Sequence, residues 1–204
     1  MDTFLLRLFQ RQVAAQCFAA IFASETAQSA LNPPASPRTP GAPIPRTPPH
    51  QDVFWASVQN CLTAVANVSK TCWGEEGKYR KERKPLRQSL GIKKDNPLKP
   101  ISMRNNFEHV DEWIDEWFAT STNRVHVDCV IGPPNVIGGV ADAGMFRVFD
   151  TTTAEAVFWG GRYSLKTIMD EITRLYPIAK EEGDKPSEGD KPHSDPPSPS
   201  GDGA

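Results

Sequence analysis

The chain has 204 residues and a formal net charge of −2, from 23 Lys and Arg against 25 Asp and Glu. This total neither requires nor excludes an anionic partner, so the placement of the charges says more than their sum. Many of the 19 prolines lie in polar stretches, which excludes a single compact domain that spans the whole chain.

Residues 1–27 are predicted to contain an amphipathic helix from about residue 3 to residue 25. Apolar residues recur on one face of this segment, which is typical of a helix that buries a stripe: Leu5, Leu8, Phe9, Val13, Cys17, Ala20 and Ile21. Arginines and glutamines interrupt the stretch, so it is too polar to span a bilayer and makes a poor signal peptide. We therefore expect a cytoplasmic protein with reduced thiols and no membrane contact.

Two segments lack the apolar residues that a packed core needs. Residues 28–49 are dominated by Pro, Ala, Ser and Thr and are predicted to form an extended linker. Residues 180–204 contain mainly Gly, Pro, Ser, Asp, Glu and Lys and are predicted to form a disordered acidic tail. The remaining folded domain is expected to cover residues 50–179.

That domain is predicted to begin with a long helix capped by Asp52 and ended near Trp73 and Gly74. Its apolar stripe consists of Phe54, Val58, Cys61, Leu62, Val65 and Val68. Pro85 and Gly91 then bracket a short helix that carries Leu86 and Leu90, which we interpret as a connector rather than a core element.

Basic residues crowd the stretch between these two helices, and a polyanion such as RNA is their natural partner. The candidate RNA-binding residues are Lys78, Arg80, Lys81, Arg83, Lys84 and Arg87. A solvated, lysine-rich loop with a short helix explains the same charges equally well, so both interpretations stay open.

A third helix is predicted from about residue 101 to residue 120, after Pro97 and Pro100. Its buried stripe is predicted to contain Met103, Phe107, Val110, Ile114 and Trp117, with Trp113 and Phe118 widening it. A rotation of about 100° per residue then places Arg104, Asn105, Glu108 and His109 on the opposite, solvent-facing side.

Beyond Asn123 the apolar period changes to two, which predicts a strand over about residues 125–131 and a hairpin from Met145 to Trp159. Ser164 is predicted to cap a last helix that Pro177 stops. Its stripe contains Leu165, Ile168, Met169, Ile172, Leu175 and Tyr176. The predicted fold is mainly helical, an α+β bundle with a small antiparallel appendage and a C-terminal helix.

Arg104 and His109 are the residues whose chemistry is most suggestive. A guanidinium holds a phosphodiester, and an imidazole transfers protons near neutral pH, and an RNA-cleaving site without a metal needs both. The alternative is an ordinary surface ion pair between Arg104 and Glu108, at i and i+4, with His109 a bystander.

The run Arg104-Asn105-Asn106-Phe107-Glu108-His109 resembles the HEPN superfamily, whose pattern is an Arg, four to six residues and a His on a helix. The resemblance covers about residues 50–120. It implies a helical bundle and, in many members, a dimeric metal-independent endoribonuclease of toxin, antiphage or RNA-processing systems. It assigns phosphate binding to Arg104, acid–base catalysis to His109, phosphate orientation to Asn105 and a supporting carboxylate to Glu108.

On one regular helix Arg104 and His109 lie about 7.5 Å apart along the axis and about 140° apart around it. They therefore do not converge on one phosphate, and we expect a C2 homodimer to complete the site. Because Glu108, Glu112 and Glu116 repel RNA, a neutralising protein partner is an additional expectation. The contrasting hypothesis is a noncatalytic helical module that binds a partner protein or nucleotide.

No cofactor and no metal are predicted. The four cysteines show no Cys-x-x-Cys spacing, and three lie at core-facing positions, which indicates buried free thiols. They are Cys17, Cys61, Cys72 and Cys129. His126 and Asp128 share one side of the predicted strand; the solvent face of an edge strand explains them better than a metal site or an acid–base pair.

Overall fold

The computed structural model describes residues 1–31, 49–74, 78–99, 109–133 and 137–186. Within these ranges the fold is α+β, as predicted, with helices packed on a four-stranded sheet. The elements are α1 (Thr3–Leu31), α2 (Pro49–Trp73), α3 (Lys84–Ser89), α4 (Val110–Thr120), β1 (Val130–Gly132), β2 (Arg147–Asp150), β3 (Glu155–Phe158), β4 (Gly161–Ser164) and α5 (Leu165–Asp184). Whether the helices form a HEPN-type bundle stays a prediction.

The three long helices α1, α2 and α5 form the centre of the core. The predicted stripe of α2 is confirmed, since all six of its apolar side chains are buried. At the end of this helix Gly74 adopts φ +79°, and a Cβ there would lie 2.7 Å from the Tyr79 nitrogen. Only glycine fits this turn without strain, which explains the sharp end of α2.

Helix α1 is longer than predicted and only part of its predicted stripe is buried. It continues to Leu31, so residues 28–31 of the predicted linker are helical, while residues 32–48 lie outside the described residues. Val13, Cys17 and Ala20 are buried as predicted, but Leu5 and Leu8 are exposed. The buried face instead continues through small residues: Ala14, Ala23, Ala27 and Ala30.

Two predictions about α2 and α3 are wrong. Helix α2 begins at Pro49, so Asp52 is not its cap but lies in the first turn, where a carboxylate stabilises the positive helix end. Helix α3 is more than a connector, because Leu86 and Leu90 are fully buried in the core. Gly91, at φ +61°, follows it as predicted.

The sheet has the order β1-β2-β3-β4, with β1 parallel to β2 and the other pairs antiparallel. The predicted hairpin is confirmed as β2 and β3, but the sheet is mixed rather than antiparallel, and β4 was not predicted. The strand predicted over residues 125–131 is reduced to β1, because Cys129 adopts φ +57° and breaks the extended backbone. The Phe149 ring packs 4.9 Å from Phe54 of α2, so the sheet is part of the core.

Helix α5 begins as predicted and ends later. The Ser164 hydroxyl accepts a hydrogen bond from the Thr167 amide, which confirms the cap. Pro177 lies inside the helix and does not stop it. The helix continues to Asp184, so residues 180–184 of the predicted tail are helical, and residues 187–204 lie outside the described part of the chain.

Three of the four free cysteines, Cys17, Cys61 and Cys72, are buried as predicted, and Cys129 is half-buried. Burial raises the pKa of the three buried thiols to about 12. They are therefore protonated at neutral pH and act as small apolar side chains. Across the described ranges, no helix combines the length and the apolar character needed to cross a bilayer.

Candidate binding cleft beside helix α4

Of the four residues of the predicted ribonuclease site, the structure describes one. Arg104, Asn105 and Glu108 lie outside the described residues, so their placement relative to His109 stays a prediction. His109 precedes α4 with φ −117° and ψ 41°, and the helix begins at Val110. The prediction that His109 lies inside a helix is therefore wrong. The angle of about 140° between Arg104 and His109, which assumed one regular helix, does not apply.

The His109 side chain lies at the start of α4 and is 48% exposed. Its Nδ1 atom is 3.2 Å from a Glu112 carboxylate oxygen, one turn along the helix. A carboxylate at this distance can orient the imidazole through a hydrogen bond. This pair is accessible to solvent and to a binding partner.

Helix α4 buries none of its residues. Val110 and Ile114, predicted to face the core, are 41% and 43% exposed, so that prediction is wrong. The apolar side chains from Trp113 to Phe118 span an arc of about 140° on the helix, which is wider than one neighbouring element covers. This width is the sequence signal that would have identified an exposed apolar edge.

The opposite side of α4 is acidic. Its four carboxylate residues are all exposed, and they occupy the arc that the apolar side chains leave free: Asp111, Glu112, Asp115 and Glu116. Helix α4 therefore places an uncovered apolar edge beside a dense row of negative charge.

Aromatic contacts hold α4 against the sheet. The Trp113 ring stacks on Trp159 at 6.2 Å, and the Trp117 ring meets the edge of Phe146 at 5.1 Å. His126 stacks on Phe146 at 4.9 Å and contacts Trp117 at 5.2 Å. Instead of facing only solvent, as predicted for an edge strand, His126 is part of this aromatic cluster.

Asp128 forms a two-pronged ion pair with Arg147 at the edge of the same region. The Arg147 Nε and Nη2 atoms donate to the two carboxylate oxygens at 2.7 and 2.5 Å. Burial alone would raise the pKa of Asp128, but the hydrogen bonds and charge of Arg147 outweigh it and lower that pKa. The pair is fixed in geometry and nearly neutral in net charge.

A cleft of about 130 Å³ lies between α4, α2 and the sheet. Its apolar walls include the exposed edge of α4, and the Asp128–Arg147 pair closes one side. The lining residues are Trp55, Val58 and Gln59 of α2, Val110 and Ile114 of α4, and Asp128, Phe146, Arg147, Phe158 and Trp159 from the sheet region. An apolar cavity of about 150 Å³ accommodates benzene, so this cleft fits one large apolar group.

Of the six predicted RNA-binding residues, two arginines make contacts within the fold and four basic residues are exposed. The Arg83 guanidinium lies 3.4 Å from the centre of the Phe9 ring, and Arg87 donates at 2.6 Å to the backbone oxygens of Cys72 and Arg80. Burial lowers the pKa of both arginines, which shows that they are partly desolvated structural groups. The exposed members are Lys78, Arg80, Lys81 and Lys84.

A second, larger cavity of about 560 Å³ lies between the C-terminal half of α1, α2 and the start of α5. Its walls are mainly apolar, and the Cys61 thiol and the Met169 sulfur meet at 3.5 Å beside it. Among the described residues no cluster of three or more His, Cys, Asp or Glu side chains is arranged to hold a metal ion.

No family model, no curated protein and no solved structure matches this chain. The geometry of the cleft and of α4 is therefore the basis for a functional assignment.

Proposed function

We propose that the protein is a noncatalytic binding module that captures a segment of a partner protein in the cleft beside α4. The observation that carries this proposal is the cleft itself: about 130 Å³ with apolar walls, beside a helix that buries none of its residues. A pocket of this size receives one anchoring side chain, which is how a few residues supply most of the binding free energy of an interface.

The charges of α4 define the rest of the segment. Exposed carboxylates cover the side of α4 that its apolar side chains leave free, and carboxylates attract Lys and Arg in a partner while they repel phosphates. The partner segment therefore carries one large apolar side chain, such as Phe or Leu, next to basic residues. The fixed Asp128–Arg147 pair adds hydrogen-bonding groups at the rim without adding net charge.

Selection from a random peptide display library on the purified protein tests this proposal. We expect selected peptides to combine a large apolar residue with Lys or Arg. In calorimetry a selected peptide should bind wild type at least tenfold more tightly than Ile114→Glu, and replacement of its apolar residue by Ala should weaken binding similarly. Lys180→Glu, on α5, is the matched control.

Peptides without basic residues, or peptides whose binding is insensitive to Ile114→Glu, would contradict the proposed cleft. Far-ultraviolet circular dichroism should be the same for wild type and both variants, since Ile114 and Lys180 are exposed.

The endoribonuclease hypothesis is a second candidate, favoured by the exposed His109 imidazole and its Glu112 neighbour. A carboxylate beside an imidazole is the arrangement that acid–base catalysis uses. In this reading His109 transfers the proton and Arg104 holds the phosphate. Cleavage of a mixed RNA substrate in the presence of chelator should then disappear in His109→Ala. Equal activity in wild type and variant, including none in both, would exclude this candidate.

A further inference from the structure

Helix α1 has a second apolar face that no described residue covers fully. Phe4, Leu8, Phe18 and Phe22 are 52%, 43%, 56% and 63% exposed. Phe4, Leu8 and Phe22 lie opposite the buried Val13, Cys17 and Ala20, and Phe18 lies at the border of this face, with its ring 6.1 Å from that of Tyr176 on α5. Four large apolar side chains on one helix exceed the scattered exposure that is normal for a soluble surface.

The spacing of this face is that of a helix–helix seam. Successive positions along it are separated alternately by four and three residues, which is the repeat of antiparallel and parallel coiled coils. The seam consists of Phe4, Leu8, Arg11, Ala15, Phe18 and Phe22. The order of spacings is the same in both directions along the chain, so an antiparallel copy of the helix presents the same pattern to it.

We propose that this face, the α1 seam, is a self-association interface in which two copies of the chain pair their α1 helices antiparallel. Phe4 then packs against Phe22 of the partner subunit, and Leu8 packs against the partner's Phe18. Each Arg11 lies beside the partner's Ala15, whose small side chain leaves room for the arginine stem. A parallel pair would instead place the two Arg11 stems side by side in the seam, while each guanidinium stays on its Gly183 carbonyl.

Antiparallel pairing also agrees with the electrostatics of the helix. It sets the two helix dipoles in opposite directions, whereas parallel pairing aligns them in the same direction. Since α1 has 29 residues, this pairing applies along most of its length.

The area available is sufficient for a weak dimer. A fully exposed Phe presents roughly 200 Å², so the exposed parts of the seam and of Leu5 offer about 500 Å² per chain and about 1,000 Å² in a symmetric pair. Interfaces of this size have dissociation constants in the micromolar range when they are well packed.

A membrane surface fits the α1 seam less well. Helices that lie on membranes carry many Lys and Arg beside their apolar face. The two basic residues of α1 are already engaged: Arg7 donates to Gln10 and Glu182 at 2.8 and 3.3 Å, and Arg11 donates to the Gly183 carbonyl at 2.8 Å. The charges of α1 are thus used within the protein.

Sedimentation equilibrium over about 1–100 µM protein tests the proposal, since this range brackets the expected affinity. Wild type should shift from the 22.5 kDa of one chain to twice that mass. Phe22→Glu should weaken the dimer at least tenfold. Phe118→Glu, which replaces a phenylalanine of similar exposure on α4, should leave the dimer unchanged and is the matched control.

A monomeric wild type over the whole range overturns the proposal, and it does so even if Phe22→Glu fails to fold. Flotation of that monomer with anionic vesicles would assign the α1 seam to a lipid surface instead. A dimer that Phe118→Glu disrupts and Phe22→Glu does not would place the interface on α4.

The orientation has its own measurement. A spin label on Ser29→Cys, in a Cys129→Ser background, reports the separation of the two copies by dipolar spectroscopy. Antiparallel pairing places the two labels about 48 Å apart along the axis, from 32 residues at about 1.5 Å each. A separation of about 10–15 Å, as in a parallel pair, would overturn the antiparallel arrangement.

Discussion

Replacement of Trp117 by Ala should destabilise α4 and leave the stability of the core unchanged. Helix α4 buries none of its residues, and Trp117 makes two of the aromatic contacts that hold it, to Phe146 and His126. Each aromatic pair contributes about 0.5–1.5 kcal/mol, so the loss of both costs about 1–3 kcal/mol. An isolated helix of 11 residues is marginal in water, and α4 should therefore open locally.

Hydrogen exchange followed by mass spectrometry measures this opening segment by segment. A cost of about 1–3 kcal/mol corresponds to about 5- to 150-fold faster exchange of the α4 amides, at 1.4 kcal/mol per tenfold. The amides of α2 should keep their wild-type rates. Phe118→Ala, on the exposed edge of the same helix, should change the exchange of α4 much less.

Unchanged exchange in α4 would show that contacts other than those of Trp117 hold the helix. Equal acceleration in α4 and α2 would show that α4 unfolds together with the core. The first result would refute the contribution of about 1–3 kcal/mol assigned to the Trp117 contacts, and the second would refute the view that the scaffold is stable without α4.

The remaining predictions concern the core and the ion pair. Leu62→Ala, at a fully buried position of α2, should lower the free energy of unfolding by about 2–5 kcal/mol in urea titrations. The pKa of Asp128 is lowered in the folded state. The ionised carboxylate therefore stabilises the fold at neutral pH, and this stabilisation is lost as the pH falls through the lowered pKa. Asp128→Asn should reduce the urea midpoint at pH 7 more than at pH 2.5. In the folded protein Cys17, Cys61 and Cys72 should resist alkylation at pH 8, as mass spectrometry of intact and unfolded samples would show.

Apolar periodicity predicted a helix best where the core uses the whole of its apolar face. The α2 stripe is an example: every member from Phe54 to Val68 is buried. The same reasoning failed for α4, where Val110 and Ile114 have the correct spacing but border a cleft. Periodicity identifies an apolar face, but it does not show whether a neighbour covers the whole of it.

The other errors concern Pro177, which does not end its helix, and Cys129, whose backbone is left-handed. Pro177 removes a helical hydrogen bond, yet α5 continues, since the buried Ala179 and Gly183 pack its last turns on α1. A Cβ on Gly183 would lie 2.9 Å from Arg11 Cγ, so glycine permits this close approach. Cys129 continues the alternating pattern of its strand but has a left-handed backbone. A single sequence does not show that tertiary packing compensates for a proline in a helix, or that one residue of a strand pattern adopts a left-handed backbone.

The candidate site was predicted only in part. The sequence drew attention to His109 and to the segment that α4 occupies, but it gave no means of placing Asp128 beside Arg147, 19 positions apart. That pairing depends on the bend at Cys129 and on the register of β1 with β2. The predicted basic surface has fewer exposed cations than the sequence indicates. Arg83 packs on Phe9 of α1, and Arg87 donates to the backbone oxygens of Cys72 and Arg80.

The attachment of α4 by surface aromatic contacts has a consequence for how the protein can change. Because α4 contributes no buried residue, substitutions along its exposed edge cost the scaffold little stability. New side chains at positions such as Val110, Ile114 and Phe118 can therefore alter what the cleft accepts while the three-helix core continues to fold. Under the proposed binding function, α4 would be an exchangeable recognition element, and redesign of specificity should begin there.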